Sequence, residues 1–152
     1  MGYSEESTEE IRLKNVELLK QLIGHLNPLK THQEYPPIVY NILKELYNDP
    51  FPKVKVCALD VTLLLAENDP ISIPLQISKI VSKLSPLALH QHSKIRKRVF
   101  KTFNALIVHT PKDVAEDIGS KLFEICQKSI LEENHQKVKF EIQMMMLLLI
   151  LI

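Results

Sequence analysis

The stretch KIRKRVFKTFNAL, Lys94 to Leu106, decides how the rest of the chain is read, because its opening Lys-Ile-Arg triplet recurs. The same cation, apolar, cation order stands at Lys53-Val54-Lys55 and Lys137-Val138-Lys139, and a degenerate form at Glu10-Ile11-Arg12. Measured on the apolar residue, the intervals from 11 to 54, 54 to 95 and 95 to 138 are 43, 41 and 43 residues. Self-similarity at that period, carried on helical patterning, predicts a stack of repeated helix pairs in which each repeat buries its apolar face against the next.

Working outward from Lys94, apolar residues at Ile95, Val99, Phe103, Leu106 and Ile107 mark one buried stripe, and Thr110-Pro111 ends the helix. VKVCALDVTLLLA, residues 54–66, is apolar around most of its circumference and predicts a helix covered on several sides. A first helix is expected over residues 4–26, with Ile11, Val16, Leu19, Ile23 and Leu26 inward, and a second with Ile38, Ile42, Leu43 and Leu46 on one face. A fourth helix over about 72–89 should be kinked or interrupted at Pro86, which lacks the N–H of an interior helical residue. A sixth is expected over about 112–131, and a seventh from Gln136 to the end. Three glycines and no Trp suit such a helical chain. The expected fold is all-α, a right-handed α-solenoid of HEAT or armadillo-type pairs with about seven helices. Residues 1–152 are expected to form one segment of a longer array: a half-repeat at 4–26, then repeats at about 34–67, 72–109 and 112–152.

Nineteen Lys and Arg against eighteen Asp and Glu leave no whole-molecule field for a polyanion, so electrostatic function must be local. Cys57 and Cys126 lie in apolar helical runs and fit reduced core thiols. Residues 4–10 are polar and acidic rather than a signal sequence, so an intracellular protein is expected. No phosphate-binding glycine loop, nucleophile elbow or catalytic acid pair occurs, and neither an enzyme activity nor a cofactor is expected. His90, His92, His109 and His135 lack the spacing of a metal site and are read as turn residues.

The segments DPFPKVKVCALDVTLLLAE (49–67) and HQHSKIRKRVFKTFNALIVHTPKDV (90–114) resemble HEAT repeats. More narrowly, Asp-Pro-Phe-Pro-Lys-Val-Lys and His-Gln-His-Ser-Lys-Ile-Arg are similar to segments of the HEAT-repeat axonemal dynein assembly factors. That resemblance implies a non-catalytic protein-binding scaffold, a cytoplasmic factor in preassembling dynein arms for motile cilia. Dynein chains, chaperones or tubulin are the implied partners, with a cytoplasmic or a ciliary and axonemal location. A structural axonemal or microtubule-associated HEAT protein, or a transport or signalling adaptor holding peptides, fits the same residues.

Six residues before each marker cation stand Glu6 before Arg12, Asp49 before Lys55, His90 before Arg96 and Glu133 before Lys139. These positions resemble the acid and base ladder that joins adjacent HEAT repeats. A cation in a helix's first turn opposes the macrodipole and calls for compensation. The third repeat replaces the acid by His90 and carries the densest cations, of which Lys94, Lys97, Arg98 and Lys101 share one helical face. Such a face is either simply solvated or a docking patch for an acidic protein segment. A nucleic-acid track would need such density in every repeat, and the others supply only two cations each. The apolar run from Met144 to Ile152 is shorter than the roughly 20 residues of a membrane span. It is expected to be core, with its outer side covered by further repeats or a partner.

Overall fold

The computed structural model describes residues 5–25 and 37–152, with side chains from Thr8 onward in the first helix. The expectations for Leu26, for the segment 27–36 and for the side chain of Glu6 lie outside the described residues. Seven α-helices follow in order: α1 Glu5–His25, α2 Pro37–Leu46, α3 Pro52–Asn68, α4 Ile73–Leu84, α5 Ser93–Val108, α6 Lys112–Glu132 and α7 Gln136–Leu151. Among the described residues there is no strand, and no helix is long and apolar enough to cross a membrane. The architecture is an all-α solenoid. Helices α1, α3, α5 and α7 pack side by side in one row, while α2, α4 and α6 form a second layer whose members touch one another more lightly.

The marker triplet divides its residues among three environments. Its apolar members Val54, Ile95 and Val138 are completely buried, at 0% exposure each. Its first lysines, Lys53, Lys94 and Lys137, are exposed, and its second cations are half-buried. Equivalent positions further along the row are also buried: Leu59 and Phe100, Thr62 and Phe103, Ala66 and Ile107. In α7 the corresponding Gln143 and Ile150 are exposed and Met146 is half-buried. The side of α7 turned away from α5 is therefore the open end face of the described row.

Local chemistry sets the helix ends. Pro52 sits in the first turn of α3, where its missing N–H costs nothing and its fixed φ suits a helix start. At Ser85 the fourth helix tightens into a short 3₁₀ segment, Ser85–Leu89, because Pro86 removes one helical hydrogen bond and its ring clashes with the preceding turn. The buried face of α2 differs from expectation: Tyr40, Leu43 and the following Tyr47 face inward, while Ile38 and Ile42 are 62% and 46% exposed. The tyrosines turn inward because their hydroxyls find buried partners. Tyr40 donates to Asp69 Oδ2 at 2.7 Å, and Tyr47 pairs with the Thr62 hydroxyl. Ile11 in α1 is likewise exposed.

Candidate functional site

The turns that lead into α3, α5 and α7 share one construction. Asp49, His90 and Glu133 each stand two residues before an extended N-cap residue, Phe51, His92 and His135 respectively. Each side chain accepts the backbone N–H of that cap: Phe51 N to Asp49 Oδ1 at 3.0 Å, His92 N to His90 Nδ1 at 3.0 Å, and His135 N to Glu133 Oε1 at 3.0 Å. The same side chains meet the marker cation of the preceding repeat. Arg12 donates from Nε to Asp49 Oδ2 at 2.7 Å and from Nη2 to Oδ1 at 3.3 Å. Arg96 grips Glu133 in the same two-pronged way, at 2.7 and 2.9 Å. Between them, Lys55 Nζ lies 3.2 Å from His90 Nε2.

The rungs differ in strength for reasons visible in the geometry. Glu133 is nearly buried and the Arg96 fork holds its carboxyl below the usual range. Arg96 is anchored further by donating to the carbonyls of His90 and Gln91. The Arg12 guanidinium also lies 5.1 Å from the centre of the Phe51 ring, a cation–π distance. His90 has no such attraction to offer. A neutral imidazole has one acceptor nitrogen, and its Nδ1 is engaged by the His92 N–H, which puts the ring proton on Nε2, towards Lys55. Burial, with Lys55, His92 and Arg96 nearby, holds this imidazole below its ordinary pKa. The side chain of Lys139, the next cation in the series, makes no ion pair or hydrogen bond among the described residues.

The four cations grouped on α5 separate in the folded chain. Arg98 is paired with Asp60 of α3, which also receives Lys20 of α1 at 3.4 Å. This second cross-row network was not anticipated from the sequence, although a lone aspartate inside VKVCALDVTLLLA is the signal that marks it. Lys94 and Lys101 are exposed and Lys97 half-buried, and none of the three has an acidic partner among the described residues. Lys94 stands at the edge of an open groove of about 540 Å³ whose lining includes Leu13, Lys20, Lys53, Val56 and Asp60. The groove therefore crosses α1, α3 and α5 on one surface of the helix row.

Among the described residues no cluster of three or more His, Cys, Asp or Glu side chains is arranged to hold a metal ion. Cys57 and Cys126 are buried free thiols. Burial raises both thiol pKa values, that of Cys126 to about 12, which makes them poor nucleophiles. What the arrangement offers chemically is a helical surface carrying Lys94, Lys97 and Lys101, cations that no carboxylate among the described residues meets.

The family model described as "Dynein axonemal assembly factor 5-like, TPR repeats" matches residues 1–145. Dynein axonemal assembly factor 5 of Xenopus laevis is 30% identical over 121 residues, which is 77% of this chain. The chain spans only 14% of that relative's length. No solved structure matches the chain. The description names TPR repeats, whose period is about 34 residues; the intervals of 43, 41 and 43 residues here have the longer HEAT-type spacing.

Proposed function

This chain belongs to the dynein axonemal assembly factor 5-like repeat family, and from that premise we propose that it is a non-catalytic protein-binding scaffold in the cytoplasmic preassembly of axonemal dynein arms. The observation that carries the proposal is the family match along nearly the whole chain, residues 1–145. The cation–carboxylate rungs support it physically, because they hold adjacent repeats in register and so keep an extended surface rigid enough to bind. On that surface Lys94, Lys97 and Lys101 form the docking patch for an acidic segment of a dynein chain or chaperone.

The test is replacement of the endogenous protein in multiciliated cells by the Lys97→Glu, Lys101→Glu variant. The expected outcome is axonemes depleted of dynein arms, with wild-type protein found in the cytoplasm. Intact arms after complete removal of the protein, or retention of the protein in salt-washed axonemes, would defeat the assembly role. Intact arms with the charge-reversed variant alone would defeat the patch.

A further inference from the structure

Resting on the scaffold reading above, we infer that the docking surface extends from the α5 cations onto an apolar stripe of α7, and that it takes a protein segment with acidic residues beside bulky apolar ones. The repeat intervals of 41 and 43 residues relate Val56, Lys97 and Phe140, and likewise Asp60, Lys101 and Met144, and Leu63, Asn104 and Leu147. The same offsets relate the buried Val54, Ile95 and Val138 and the side chains that accept the N-cap N–H groups, Asp49, His90 and Glu133, so they hold in three dimensions. Phe140, Met144 and Leu147, at i, i+4 and i+7, are 59%, 43% and 50% exposed.

This stripe is not the face that a further repeat would cover. The stacking face of α7 is Gln143, Met146 and Ile150, equivalent to the buried Phe100, Phe103 and Ile107 of α5. Helix α5 has neighbours on both sides of the row, yet its counterpart of the stripe, Lys97, Lys101 and Asn104, stays at least partly open. Continued stacking would therefore leave Phe140, Met144 and Leu147 facing outward, beside the cations.

The occupant follows from charge complementarity. Lys94, Lys97 and Lys101 have no carboxylate partner among the described residues, whereas Arg98 and Lys20 share the Asp60 carboxylate. On α7 the cations Lys137 and Lys139 stand before Phe140, and Glu141 holds the position equivalent to Arg98, so the cations level with Phe140 and Met144 are Lys97 and Lys101 of α5. Packed helices lie about 8–10 Å apart, and an extended chain advances about 3.3 Å per residue. A crossing segment thus needs its acidic cluster and its apolar anchors separated by roughly three residues. Apolar anchors supply most of the affinity, and the cations supply orientation and on-rate.

The experiment is selection of a random-peptide display library on the 152-residue chain, followed by anisotropy titration of the synthetic consensus peptide. The expected consensus joins an Asp/Glu cluster to Leu, Phe or Met anchors. Its affinity should fall about tenfold or more both for Lys97→Glu, Lys101→Glu and for Phe140→Ser, Leu147→Ser. Unchanged helical circular dichroism of both variants shows that the fold is kept, as expected for exposed positions; Phe140→Ala and Leu147→Ala singly replace the serine pair if it unfolds. An acidic consensus without apolar anchors, insensitive to the α7 substitutions, overturns this inference and leaves the basic patch standing. No consensus, or one insensitive to the lysine reversals, overturns both.

Discussion

The joint between α5 and α7 and the joint between α3 and α5 are built on the same plan with different chemistry. At the first, Arg96 forks onto a nearly buried Glu133, whose other lone pairs cap the N-terminus of α7. At the second, His90 keeps the capping role through Nδ1 but meets Lys55 without an opposite charge. Capping and pairing are therefore separable functions of one position. Histidine can perform the first, and only a carboxylate performs both. The weaker joint lies beside the unpaired cations of α5, so the same substitution that loosens the ladder leaves the local field positive.

Substitutions along the ladder sharpen or break this comparison. The largest effect is expected for Glu133→Gln, which leaves a mostly buried Arg96 without its charge partner and should lower stability by about 2–4 kcal/mol in denaturant titration. Loss of less than about 0.5 kcal/mol would mean that the fork contributes nothing net. Asp49→Asn should cost less, about 1–2 kcal/mol, because Arg12 is half exposed and keeps its Phe51 contact. A double-mutant cycle with Arg12→Ala separates the pair from the cap.

His90→Asp should restore the missing rung and raise stability by up to about 1 kcal/mol. The wild-type chain should also lose stability on acidification from neutral pH through His90's depressed folded pKa. The unfolded chain, with an ordinary imidazole near 6.5, takes up the proton before the folded chain does, so stability falls across that window. The aspartate variant should lack this slope. Glu133 acts at lower pH: its carboxyl is depressed below 4.5, so its contribution is full above that value and is lost as pH falls through the folded pKa. The smallest effect is expected at Lys139→Ala, within about 0.5 kcal/mol in thermal unfolding, since that cation has no rung to break.

The residues that were legible in the sequence are those whose role repeats. The marker triplets located α3, α5 and α7, and the six-residue offset singled out Asp49, His90 and Glu133 as the side chains that later meet marker cations. Pro86 marked the end of α4 because its backbone chemistry is local. Roles that depend on a single distant partner were not legible. Ile38 and Ile42 form as good an apolar face as Tyr40, Leu43 and Tyr47, and the choice between them rests on hydroxyl partners at Asp69 and Thr62. Arg98 looked equivalent to its neighbouring lysines until Asp60, on another helix, claimed it.

By itself the sequence determined the helical class, the spacing of its repeated triplets and the helix ends set by proline. These depend on backbone sterics and on apolar spacing within one or two turns. Only the tertiary structure decided which cations meet a carboxylate, which apolar residues of α7 are left exposed, and that His90 caps without pairing. Those outcomes depend on side chains brought together from about 35 to 40 positions apart, where charge and burial are properties of the pair rather than of either residue.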